Sequence, residues 1–294
     1  MEFLRELNDF QVYNGNYSRL QSDYVYKYAL PAERLPLTTT KEVTFFLQRN
    51  WLHTITISII YYATMRVLQR AMRDRPAFSL QKPLFFWNAA LALFSIAGVT
   101  RQGEDFLESL VHRGLYDAIC KTCHPNDVAA FWSFLFAISK IVELGDTLFI
   151  VLRKKPLIFL HYYHHAAVLI YTVHSGAEHT APGRAFIFMN YFAHSVMYSY
   201  YAATAAGRKF PRWVSMCVTT IQTTQMFLGV AISIGVYIIK EHFGMPCQQS
   251  MANLYLAFLI YFTFAVLFIQ FFINAYLVKK TSRAVKDKKA KKTN

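Results

Sequence analysis

Seven apolar stretches, each long enough to cross a bilayer as a helix, constrain this chain more than any other feature of it. A crossing needs about 17 to 25 residues. The stretches run Trp51 to Leu68, Leu84 to Thr100, Val128 to Leu152, Leu157 to Val173, Ala185 to Ala206, Trp213 to Ile239 and Met251 to Val278. In hydrocarbon a backbone must satisfy its own hydrogen bonds, which stretches of this length do as helices. The expected fold is an all-α polytopic membrane protein with seven transmembrane helices over residues 51–278, an N-terminal segment over 1–50 and a basic tail over 279–294. The first stretch is rich in Thr and Ser and the fourth holds three histidines, so these two carry the weakest span signals.

The charge pattern orients the chain. Net charge is +14, which in a soluble protein would point to nucleic acid, but 54% of the residues are hydrophobic and the cations lie between apolar runs. No nucleic-acid partner is expected; the membrane surface and anionic ligands are. One set of connections carries Arg66, Arg70, Arg73, Arg75 and Lys82, then Arg153, Lys154 and Lys155, then Arg208, Lys209 and Arg212, and eight more in the tail. The alternate connections carry Arg101, Arg113 and Lys121, then Arg184, then Lys240. Nineteen against five places the first set, with the C-terminus, in the cytosol. The N-terminal segment is then lumenal, where Asn16-Tyr17-Ser18 is a glycan acceptor sequence. Lys291 and Lys292 stand fourth and third from the C-terminus in the pattern of a dilysine retrieval signal, which points to the endoplasmic reticulum. No cleaved signal is evident at the start. Of the four cysteines only Cys120 and Cys123 form a CxxC pair, too little for a zinc or redox site.

Polar and ionisable residues inside membrane helices are costly, so they mark function unless they merely pair. Lys140, Glu143 and Thr147 share one face of the third helix, with Asp146 at its edge. His161, His164 and His165 fall within the box His161-Tyr-Tyr-His164-His165 of the fourth. Asn190, His194, Tyr198 and Tyr201 make a stripe on the fifth, and Thr219, Gln222 and Gln225 another on the sixth. Counted from the nearest basic loop, His164, His194, Gln222 and Glu143 lie at depths of roughly 14, 21, 15 and 15 Å. Four helices therefore bring polar groups to one slab, reached from the cytosolic side. Each element also has a plainer reading: Lys140 with Glu143 as an ion pair within the helix, Asn and Gln as packing contacts.

Two chemistries use such a box. A di-iron oxygenase needs about eight ligands from several boxes. Of the ten histidines, only His161, His164, His165 and His194 reach the slab. Nucleophilic or acid–base work remains, in which a neutral imidazole attacks a thioester and neighbouring donors stabilise an oxyanion.

The runs Lys140-Ile-Val-Glu143-Leu-Gly-Asp146-Thr147, His161 to His165, Asn190 to Tyr201 and Thr219-Thr-Ile-Gln222-Thr-Thr-Gln225 resemble the ELO family of very-long-chain fatty acid elongases, over about residues 51 to 280. The resemblance implies an enzyme of the endoplasmic reticulum that condenses malonyl-CoA with an acyl-CoA, giving 3-ketoacyl-CoA, carbon dioxide and CoA. It implies six helices in a closed ring of two three-helix units around an acyl tunnel, with the first helix outside. His164 would carry the acyl group as an acyl-imidazole. His194 would position the malonyl group, with Asn190, Gln222 and Gln225 as donors, while Glu143, Asp146 and His161 orient the box. No cofactor is required. Arg153, Lys154, Lys155, Arg208, Lys209, Arg212, Lys279 and Lys280 are candidates for the CoA phosphates, against a purely topological role. A disulfide between Cys120 and Cys247 also follows from the resemblance. Partners implied are acyl-CoA and malonyl-CoA, the lipids of the endoplasmic reticulum membrane, the ketoacyl reductase, dehydratase and enoyl reductase of the elongation cycle, and a second copy in a homodimer. The short Arg153-to-Leu160 connection and Tyr162 resemble elongases of saturated and monounsaturated chains, with polyunsaturated chains as the alternative. A histidine-box oxygenase or desaturase and a seven-helix receptor or transporter are the rival classes.

Overall fold

A computed structural model describes residues 2–13, 20–34 and 36–278. Asn16, Lys279, Lys280, Lys291 and Lys292 lie outside the described residues. The described fold is helical, with a single isolated bridge pairing Gln21 with Thr122. Its helices are α1 (Glu2–Glu6), α2 (Leu37–Asn50), α3 (His53–Ala71), α4 (Gln81–Glu108), α5 (Leu115–Cys120), α6 (Val128–Val142), α7 (Gly145–Leu152), α8 (Phe159–Glu178), α9 (Gly183–Ala205), α10 (Arg212–Glu241) and α11 (Met251–Phe272). Two of them widen into π turns at their ends, Ser109–Arg113 after α4 and Ile273–Val278 after α11.

Each apolar stretch lies in a helix, but the third is broken. Val128 to Leu152 forms α6 and α7, separated at Glu143 and Leu144. There the Leu144, Asp146 and Thr147 amides reach carbonyls three residues back, not four, and the Ser139 hydroxyl donates to Glu143 Oε1 at 3.1 Å. Three helices, Gln81–Arg113, Arg212–Glu241 and Met251–Val278, are long and apolar enough to cross a membrane by length and composition alone.

Local chemistry sets the boundaries. Asp127 caps α6 by accepting from the Val128 amide at 2.8 Å, and Ser250 caps α11 by accepting from the Asn253 amide at 3.1 Å. Pro182 and Pro211 stand at the starts of α9 and α10, where a missing N–H costs nothing.

The helices pack α4 on α9, α9 on α10, α10 on α11, α11 on α8, α8 on α6 and α6 on α4. α3 lies against α7 and α8. Glycine permits the closest approaches: a Cβ on Gly98 of α4 would stand 2.4 Å from the Tyr191 ring of α9, and one on Gly229 of α10 would stand 2.2 Å from Tyr261 of α11.

The described residues among the first fifty pack on the bundle end away from Arg153. Cys120 and Cys247 are joined there in a disulfide. The chain beside Ser22 exchanges backbone hydrogen bonds with Thr122, and Tyr26 donates to the Arg101 carbonyl at 2.8 Å. Glu33 is 3% exposed and takes hydrogen bonds from Arg101 Nη2 at 2.6 Å and Trp132 Nε1 at 2.8 Å. The Arg101 guanidinium, with help from the Trp132 indole, holds the Glu33 carboxyl down to about 2. α2 lies along α8, held by Gln48 Nε2 to the Ala177 carbonyl at 3.1 Å and by Thr44 Oγ1 with His179 Nε2 at 2.8 Å.

Candidate active site

The broken helix supplies the polar centre. Lys140 and Glu143 are each 3% exposed, with Nζ 2.7 Å from Oε1. Lys140 also donates to Asn190 Oδ1 at 2.9 Å. A lysine can only donate, so this contact fixes the Asn190 amide with its N–H2 turned to the other side. His194 Nδ1 stands 3.6 Å from Glu143 Oε1, too long for a hydrogen bond and close enough for charge attraction.

Beyond the break, Asp146 is clamped between Trp87 Nε1 at 2.6 Å and the Tyr198 hydroxyl at 2.7 Å. Gly145 makes this possible, because a Cβ there would lie 2.8 Å from the Trp87 ring. Thr147 Oγ1 pairs with His161 Nε2 at 2.9 Å and with the Tyr61 hydroxyl at 2.6 Å, tying α3 and α8 to α7. The His161 and His165 rings pack tilted at 57°, with centroids 4.5 Å apart. His164 points the other way: its ring makes no side-chain hydrogen bond among the described residues and packs 4.9 Å from Phe264.

Two cavities meet at this point. One runs toward the N-terminal layer between apolar walls that include Phe134, Val168, Tyr171, Ile187 and Ile260. The other opens toward the basic loops, with Arg153 and Lys155 at its mouth and His161, His165, His194 and Gln222 deeper in. His164, Asn190, Gln225 and Met226 line both. Asp146, Tyr198 and Tyr201 line the second cavity, and Gln222 donates to the Met197 sulfur at 2.9 Å.

Among the other cations chosen from the sequence, Lys154, Arg208 and Lys209 do not line either cavity. Lys154 instead donates to the carbonyls of Arg73 at 3.0 Å and Arg75 at 2.8 Å, pinning the α3–α4 connection. Arg212 donates to the Tyr276 carbonyl at 2.5 Å, which ties the start of α10 to the end of α11. Lys140 and Glu143 line neither cavity, but Lys140 contacts Asn190 and Glu143 stands beside His194, which do. Among the described residues, no group of three or more His, Cys, Asp or Glu side chains could hold a metal ion. Sequence reasoning missed Tyr61, Trp87 and Met197, which are indistinguishable from packing residues in an apolar helix. Trp87 and Tyr61 meet their partners 59 and 86 residues along the chain, so no local spacing in the sequence signals them.

The fold and site define a class: a helical membrane protein whose ionisable groups sit between an apolar cavity and one with a cationic mouth. Comparison with known proteins narrows the class. The ELO (GNS1/SUR4) family model matches residues 46–284. A putative fatty acid elongase 4 of Caenorhabditis elegans is 56% identical over 97% of this chain and 98% of its own length. Very long chain fatty acid elongase 6 of Drosophila melanogaster is 44% identical over 78% of this chain and 75% of its own, and human very long chain fatty acid elongase 3 is 38% identical over 84% and 91%. The chain belongs to the ELO family and is an enzyme of fatty acid elongation.

Proposed function

We propose that this chain is the condensing component of elongation, joining malonyl-CoA to a long-chain acyl-CoA to give 3-ketoacyl-CoA, carbon dioxide and CoA. One observation carries the reading: an imidazole without a side-chain hydrogen bond, His164, stands where an apolar cavity meets a cation-mouthed one. The acyl chain occupies the first cavity and CoA the second, with Arg153 and Lys155 near its phosphates. A His164 nitrogen attacks the thioester carbonyl and CoA leaves as the thiol, taking the imidazole proton. The Asn190 amide N–H2 and Gln225 are the donors available to the developing oxyanion. Malonyl-CoA then loses carbon dioxide, its enolate carbon attacks the acyl-imidazole to form the new C–C bond as the C–N bond breaks, and the released His164 ring takes a proton from water. His194, held beside Glu143, stabilises the enolate.

The same reading takes the seven helical segments as seven spans, with the six of the closed contact series forming a ring around the acyl tunnel and α3 outside. It puts the tail in the cytosol, the dilysine in use for retrieval to the endoplasmic reticulum, Asn16 in the lumen and the product with the reductases and dehydratase of the cycle. Saturated and monounsaturated acyl chains are the favoured substrates, on the short Arg153-to-Leu160 connection and Tyr162, with polyunsaturated chains as the alternative.

The test uses purified full-length protein with labelled malonyl-CoA and a panel of acyl-CoAs. Wild type forms 3-ketoacyl-CoA, and without malonyl-CoA it gains the mass of an acyl group. His164→Ala loses both, with turnover down on the order of a thousandfold. An active His164→Ala variant would refute the acyl-imidazole, and stoichiometric iron would favour an oxygenase.

A further inference from the structure

We infer that α2 is the stopper of the acyl cavity and sets the longest chain the enzyme extends. The inference rests on the condensation reading for the nature of the occupant.

One face of α8 runs the whole length of the apolar cavity. His164, Val168, Tyr171, Thr172, Ser175 and His179 all line it, spaced by three and four residues or adjacent on that face. From His164 to His179 is a run of fifteen residues, about 22 Å at helical rise. An extended polymethylene chain advances about 1.25 Å per carbon, given bonds of about 1.5 Å in zigzag. A chain linked at His164 therefore reaches the level of His179 with about 18 carbons.

Beside Gly183 of α9 and Cys123 before α6, the cavity is lined there by an element outside the helix series around it. Thr40, Val43, Thr44 and Leu47 of α2 line the far end. α2 is fixed there by the paired Thr44 and His179 side chains at 2.8 Å and by Gln48 on the Ala177 carbonyl at 3.1 Å. Leu47 rests against Gly176, where an added Cβ would lie 3.9 Å from its Cδ1. Thr40, Val43 and Thr44 precede residue 46, where the family match begins. The family match therefore takes in the α8 wall of the cavity and leaves out most of the stopper.

The experiment compares wild type with Val43→Ala, Leu47→Ala and Val43→Trp, reading within each protein the ratio of condensation rates on 20-carbon and 16-carbon acyl-CoA. The two alanine variants make room for about two more methylenes, so their ratio rises about tenfold. Val43→Trp moves the cut-off to shorter chains and lowers the ratio. Ratios equal to wild type in all three, in proteins with unchanged melting temperature, overturn the stopper and leave the condensation reading standing. If wild type forms no 3-ketoacyl-CoA with any chain, the condensation reading falls. The stopper is then read from the rise in melting temperature given by acyl-CoAs of graded length. A cut-off that shifts with Val43 and Leu47 upholds it, and one that does not overturns it.

Discussion

Lys140→Met separates the two roles open to the buried ion pair, scaffold or part of the site. Lys140 and Glu143 are each 3% exposed and 2.7 Å apart, and among the described residues Glu143 Oε2 has no hydrogen-bond partner. Removing the lysine leaves a carboxylate in an apolar interior with only the Ser139 hydroxyl and a distant His194 beside it. Breaking one partner of such a pair costs about 3–5 kcal/mol. In a chain of this size that lowers the melting temperature on the order of 10 °C. It also releases the Asn190 amide, which loses the donor that orients it. Adding Glu143→Leu removes the stranded charge, and replacing both ions with apolar groups is often close to neutral. The double variant therefore regains most of the lost melting temperature in detergent, while 3-ketoacyl-CoA formation stays low. A double variant with wild-type turnover would refute the reasoning, because the pair would then be a scaffold that any well-packed core could replace.

Two further outcomes follow from local geometry. Gly145→Ala puts a methyl 2.8 Å from the Trp87 ring and displaces the indole from Asp146, so turnover falls about tenfold, the worth of one hydrogen bond to a buried charge. A shifted indole emission with unchanged turnover would detach the clamp from the chemistry. Glu33 has its carboxyl held at about 2 against an ordinary 4.5, so its contribution to stability is complete above pH 4.5 and is lost as pH falls toward about 2. Melting curves across that window should show wild type losing an advantage over Glu33→Gln. Parallel curves would deny it.

The sequence made the site's membership legible and its wiring obscure. Polar residues in apolar helices stand out by rarity, so His164, His194, Asn190 and Gln225 could be brought together by periodicity and depth alone. Their partners could not be read the same way. Lys140 reads as the i, i+3 mate of Glu143, yet its second contact is Asn190, fifty residues on. Asp146 reads as a residue at the edge of the stripe, yet the helix breaks before it and turns it between Trp87 and Tyr198. The break itself depends on three carbonyl contacts and one serine hydroxyl, none of which leaves a compositional trace. The N-terminal fifty residues were the least legible part. α2 has no long apolar run, and its role comes from lying against α8, a contact that only the finished tertiary structure supplies.

That N-terminal layer also implies an order of assembly. Glu6 accepts a hydrogen bond from the Ala252 amide at 3.1 Å, and the Leu7 carbonyl meets His174 at 2.9 Å. Glu6 is thus seated on α11, which follows every other helix of the bundle in the chain, and Leu7 on α8. Until α11 is in place the layer has no complete seat, and a nascent chain presents an unsealed greasy channel to its surroundings.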